Sequence, residues 1–127
     1  TRDGSAQQSL PAALDFVDRF GVEAIRTHNH ALAMAAGRRL SAAWGTEIGQ
    51  PESMVGSMVM VRLPDGYGTG FETARDLRLR LLREDRIQTR VNPLAGGLSV
   101  RVSSQIYNHS GEIDALADAV LAKRPNA

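Results

Sequence analysis

Alternation of apolar and polar positions is clearest near the C-terminal end of the chain. From Leu98 onward, Leu98, Val100, Val102, Ser104 and Ile106 fall on one side of an extended strand, and Ser99, Arg101, Ser103 and Gln105 on the other. One side suits a core. The other sets a guanidinium among small polar side chains, which leaves room for a planar anion beside it. Ile87, Thr89 and Val91 alternate with Gln88 and Arg90 in a second predicted strand. Asn92-Pro93 and Gly96-Gly97 bracket the connection between the two, which predicts an antiparallel pair. Ser57 to Leu63 is a short apolar run between Gly56 and Pro64-Asp65-Gly66, the pattern of a buried strand.

Helical spacing dominates elsewhere. Leu10, Ala13, Leu14, Val17 and Phe20 make an apolar stripe that Gly21 ends, with Ser5–Gln8 as one capping box and Ser9 before Leu10-Pro11 as the competing start. Val22, Ile25, Asn29, Leu32, Ala36, Leu40 and Ala43 mark a longer helix that Trp44 and Gly45 close. At about 23 residues it is roughly 34 Å long, the width of a small domain. Gly37 inside it costs about 1 kcal/mol relative to Ala unless a neighbour packs closely there. Thr46 to Ser53 reads as a loop. Thr69-Gly70-Phe71-Glu72 reads as a capping box for a helix with Phe71, Ala74, Leu77, Leu81 and Leu82 on its apolar side. Arg75, Arg78, Arg80 and Arg83 form its solvated face, with Glu72–Arg75 and Asp76–Arg80 at pairing distance. Asn108 is the expected N-cap of a last helix carrying Ile113, Leu116, Ala117, Val120 and Leu121.

Together these elements predict a single α+β domain over residues 1–127, with residues 1–9 as an N-terminal connecting segment. Helices should cover one face of a small, mostly antiparallel sheet and leave the face carrying Arg101 open. The length of 127 residues suits one core. A net charge of +1 with interspersed signs gives no broad field for nucleic acid or membrane. The absence of cysteine excludes disulfides and thiolate metal sites. There is no apolar run long enough to span a bilayer and no secretory signal pattern, so a cytoplasmic location is expected. The start at Thr1-Arg2-Asp3, without Met, suggests a piece of a longer protein.

Of the fifteen basic residues only Lys123 is Lys, and it lies in the polar tail Lys123-Arg124-Pro125. The chain therefore offers no poised amine for a Schiff base. His28 and His30, two apart on a helix, point to different sides and cannot chelate one metal; His109 suits a turn, so no metal site is expected. Gly66-Tyr67-Gly68-Thr69-Gly70 lacks the P-loop Lys and reads as a loop. Arg101 remains the strongest candidate, because its rigid fork of donors matches a carboxylate or phosphate at any working pH. A rival reading makes the chain a non-catalytic binding module. The Arg-rich stretch from Arg75 to Arg90 would then dock an acidic partner or RNA, or the open sheet face would self-associate. Few aromatics on the strands argue against nucleic acid.

Several short stretches, in order, resemble one family. They are Thr1-Arg2-Asp3, Pro11-Ala12-Ala13-Leu14-Asp15-Phe16, Ile25-Arg26-Thr27-His28-Asn29, Met54-Val55-Gly56-Ser57-Met58, and Val100 through Asn108. Across nearly its whole length the chain is similar to the C-terminal small domain of class V aminotransferase-like enzymes of fold type I, in the isopenicillin N epimerase-like branch. That resemblance implies a parent enzyme dependent on pyridoxal 5'-phosphate, an epimerase, lyase or aminotransferase acting on an amino acid and working as a homodimer. It implies that Arg101 clamps the substrate α-carboxylate and that Thr1 reaches the cofactor phosphate of the neighbouring subunit. The Schiff-base Lys, the acid facing the pyridine nitrogen and the ring-stacking residue would belong to an N-terminal large domain, so this chain alone would not be catalytic. Arg90, Leu94 and Ser99 depart from the Pro or bulky aromatic residues expected in the family at these places, and so mark this substrate pocket as different.

Overall fold

Gly97–Ser103 forms the central strand, β3, of a three-stranded antiparallel sheet in the computed structural model, which describes residues 4–125. Met58–Arg62 (β1) flanks it on one side and Arg90–Leu94 (β2) on the other, in the order β1-β3-β2. The β2–β3 connection is a two-residue turn at Ala95 (φ 50°) and Gly96 (φ 76°), whose paired positive φ values match the twist of a tight hairpin. It sets the register, in which Arg90 faces Arg101, Val91 faces Val100 and Asn92 faces Ser99. On the other side Val59 faces Val102 and Val61 faces Val100.

Five helices complete the order among the described residues: α1 (Ser5–Gln8), α2 (Leu10–Phe20), α3 (Val22–Trp44), α4 (Phe71–Asp85) and α5 (Ser110–Ala122), with a 3₁₀ turn at Glu52–Met54. This is the α+β architecture the patterning predicts. Val59, Val61, Val91, Leu98, Val100 and Val102 are buried from the sheet, and Leu40, Leu77, Leu81, Leu116 and Val120 are buried from α3, α4 and α5. Period 2 in the strands and period 3.6 in the helices thus converge on one interior. Gly37 has the close neighbour its position demands. A Cβ there would lie 2.9 Å from Cγ2 of Val59 and 3.0 Å from Cδ1 of Ile48, so the missing side chain lets α3 approach β1. Trp44 Nε1 donates to the Ala117 carbonyl at 3.2 Å, tying α3 to α5. The Gly66–Gly70 segment is a loop whose Tyr67 is buried and donates its hydroxyl to the Val120 carbonyl at 2.6 Å. Burial pushes that phenol upward from its ordinary range.

Several local expectations are corrected. Ser5 to Gln8 is itself the short helical turn α1, with Gly4 as its N-cap. Ser9 stands at the N-cap of α2, but its hydroxyl reaches back to the Ala6 carbonyl at 2.9 Å and caps nothing. The stripe of α2 forms but is not buried: Leu10, Leu14 and Phe20 are more than half exposed, although α1 and α3 both touch the helix. Thr69 does not cap α4. Gly70 is the N-cap, and Thr73 Oγ1 accepts its N–H at 3.2 Å. Phe71 is 80% exposed, outside the apolar side assigned to it. The expected Asp76–Arg80 and Glu72–Arg75 pairs are absent among the described residues; Arg80 meets Glu84 at 3.5 Å.

The second strand starts later than expected, at Arg90 and not at Ile87, and it contains Asn92-Pro93. Pro93 is tolerated because β2 lies at the sheet edge, where a missing N–H leaves no ladder bond unmade on the outer side. β3 ends at Ser103, before Ser104 and Ile106. The last helix is capped at His109, not at Asn108.

Candidate functional site

Arg101 projects from the middle strand onto the face that no helix covers. Its strand neighbours alternate as the sequence predicts: Val100 and Val102 are buried while Arg101 and Ser103 are exposed. Across the strands Arg101 lies between Met60 of β1 and Arg90 of β2. Thr89 Oγ1 donates to its backbone carbonyl at 3.0 Å, fixing the strand at that point. The guanidinium itself has no hydrogen-bond or ion-pair partner among the described residues.

A cleft of about 710 Å³ opens beside it, between the end of β3, the start of β2, α4 and α5. Four arginines line it, Arg78, Arg86, Arg90 and Arg101, against a single acidic residue, Glu112. Glu112 is already engaged. Its Oε2 accepts the His109 N–H at 3.0 Å and Asn108 Nδ2 at 3.0 Å. The His109 N–H first, and then Asn108, hold this carboxyl below its usual range. The cleft is therefore electropositive and not internally neutralised. Two unit charges 4 Å apart repel by about 1 kcal/mol in water and about 4 kcal/mol at an effective dielectric of 20, so closing this cleft from solvent favours an anion inside it.

The wall beyond β3 is rigid. Gln105 Oε1 accepts the Ile106 N–H at 2.8 Å and Asn29 Nδ2 of α3 at 3.1 Å, and Asn108 Oδ1 accepts the Gln105 N–H at 2.9 Å. These bonds fasten the segment after the strand to α3. Asn29 Oδ1 and Ser104 Oγ are buried without a partner among the described residues, and Ser104 lines the cleft.

Other candidates sort plainly. His30 Nδ1 lies 2.9 Å from the Val55 carbonyl and serves packing. No group of three metal-ligating side chains occurs among the described residues. No helix among them is long and apolar enough to cross a membrane. Thr1 lies outside the described residues. Lys123 is not in a solvated tail: it is buried, with Nζ paired to Asp85 and, at 3.3 Å, to Glu84. The hydrogen bond to Asp85 does most to hold its ammonium above the ordinary value of 10.5.

Sequence reasoning read Arg90 as a departure and as part of an Arg-rich stretch, and missed that it stands directly opposite Arg101. The signal was present in Ala95-Gly96, since a two-residue turn there puts positions 90 and 101 across from each other.

The site is an open cleft in which four arginines and one engaged carboxylate are the charged lining residues. No family model matches the chain. It is 39% identical to a rice (Oryza sativa subsp. japonica) protein that bears the name L-cysteine desulfhydrase 2, over 94% of this chain and 29% of that protein. It is 36% identical to L-cysteine desulfhydrase of Arabidopsis thaliana, covering 94% and 30%. It is 34% identical to isopenicillin N epimerase of Streptomyces clavuligerus, covering 94% and 29%. Over nearly its whole length the chain is thus homologous to one part of these desulfhydrases and epimerases. It spans less than a third of the length of these relatives.

Proposed function

We propose that this chain is the substrate-clamping C-terminal small domain of an enzyme dependent on pyridoxal 5'-phosphate, and that Arg101 grips the α-carboxylate of an amino acid. The observation that carries this reading is a guanidinium on the uncovered sheet face, without a partner among the described residues, at the edge of an arginine-rich cleft. A charge-assisted hydrogen bond of that kind contributes about 1.5–3 kcal/mol, and more once solvent is excluded.

The cofactor's covalent anchor does not fit here. The single Lys is buried between Glu84 and Asp85, so its amine is committed to structure. The cofactor supplies the electron sink for the bond to be broken. This chain's residues bind and orient the substrate. The remaining machinery belongs to a large domain that precedes residues 1–9 in the parent. The parent works as a cytoplasmic homodimer in which Thr1 reaches the partner subunit's cofactor phosphate. The reaction is a lysis, epimerisation or transamination at an amino acid.

The test is Arg101→Ala in the complete protein that contains this chain. Steady-state kinetics with the amino-acid substrate should show kcat/KM reduced roughly 10- to 100-fold, with the cofactor's visible absorbance retained. Unimpaired kinetics would overturn the clamp.

A further inference from the structure

Arg90 is the residue that the reading of a single clamp leaves unexplained. It stands directly across from Arg101 on the neighbouring strand, on the same uncovered face. Directly opposed side chains on one face of an antiparallel pair have Cβ atoms about 4.5–5.5 Å apart, and like charges placed so are unfavourable. No acid relieves them: among the described residues neither guanidinium has an ion-pair partner, and the Glu112 carboxylate in the same cleft is held by His109 and Asn108.

Arg90 is also oriented. Its Nε donates to Asn92 Oδ1 at 3.1 Å, two residues along the strand and on the same face, which leaves both terminal nitrogens without a partner among the described residues. One carboxylate needs one fork. Two forks, side by side and unneutralised, suit a ligand with two anionic groups.

We propose that Arg90 determines substrate specificity, selecting amino acids that carry a second anionic group, either a side-chain carboxylate or a sulfur oxyacid. In this arrangement Arg101 takes the α-carboxylate and Arg90 takes the second anion, so the inference rests on the clamp reading of Arg101. The register fixes the pairing. Because the hairpin turn holds the two strands in place, the separation of the two cations is set by the backbone, and only the side-chain arms adjust.

The experiment uses the complete protein with its cofactor and compares wild type, Arg90→Gln, Arg90→Lys and Arg101→Ala. L-Aspartate and L-cysteine sulfinate are the acidic probes; L-alanine and L-cysteine are the neutral ones. Both kcat/KM and binding by titration calorimetry are measured. The preference for acidic over neutral probes should fall roughly 10- to 100-fold in Arg90→Gln and be partly restored in Arg90→Lys, which keeps the charge but loses the fork. Arg101→Ala should weaken both sets together. The thermal midpoint of Arg90→Gln should stay level or rise, since a like-charge contact is relieved; a residue with only a structural role would lower it. If Arg90→Gln leaves the preference unaltered, or weakens all probes and cofactor retention equally, the specificity role is wrong while the clamp stands. If Arg101→Ala changes neither set, the clamp itself fails and this inference falls with it.

Discussion

The two faces of the one sheet have been put to opposite uses. On the helix side, Val59, Val61, Val91, Val100 and Val102 are all buried, and the interior there is continuous with α3, α4 and α5. On the other side, Met58, Arg90, Arg101 and Ser103 are exposed, and nothing among the described residues packs over the two cations. Neighbouring residues of one strand thus answer to different demands: Leu98, Val100 and Val102 of β3 hold the fold, while Arg101 and Ser103 are left exposed and Ser99, on their side, is buried. Damage to stability and damage to binding should therefore separate cleanly at single-residue resolution.

The largest contrast lies within β3. Leu98 is 2% exposed, and Leu98→Ala should cost about 2–5 kcal/mol by denaturant unfolding, from lost transfer energy and the cavity left behind. Arg101→Ala, three residues on, should stay within about 0.5 kcal/mol of the wild type. Comparable losses at the two positions would erase the division between the faces. A smaller effect is expected where α3 meets the helix-side layer. Gly37→Ala gains about 1 kcal/mol of helix propensity, but its new methyl meets Val59 at 2.9 Å and Ile48 at 3.0 Å. Overpacking of this kind costs about 1–3 kcal/mol, so the net change should be destabilising by up to about 2 kcal/mol, read as a lowered thermal midpoint. A raised midpoint would show that the layer has slack.

The smallest effect concerns the tie between α5 and α4. Because Asp85 and Glu84 hold Lys123 charged above its ordinary value of 10.5, its stabilisation is complete below that value. It is lost as pH rises through the higher folded value. Unfolding free energy measured at intervals from pH 8 to 11.5 should decline at the alkaline end. Lys123→Met should show a shallower decline, and identical slopes would remove the ion pair from the balance.

Much of this was readable beforehand because it depends on period alone. The alternation around Arg101 gave the exposed cation and the buried valines, and the spacing from Val22 to Ala43 gave α3 with its one unusual glycine. What escaped depends on contacts distant in sequence. Lys123 sits in what looks like a tail, and only the return of α5 alongside the end of α4 brings two carboxylates to it. The stripe of α2 is a true amphipathic pattern, yet a pattern does not say whether a partner lies within the same stretch of chain. Asn92-Pro93 resembles a loop until β2 is known to be an edge strand. Arg90 was visible as a letter and invisible as a neighbour, because opposition across strands is a property of register.

The tight turn at Ala95-Gly96 acts as a mechanical stop for that register. Side chains along a strand change sides at every step, so a one-residue slip of β2 at this bend would swing the Arg90 charge round toward the oily interior and turn Val91 out of it. The spacing of the cations is thus written in the length of a loop that does not line the cleft. A change in that bend would move Arg90 relative to Arg101 without substituting either residue.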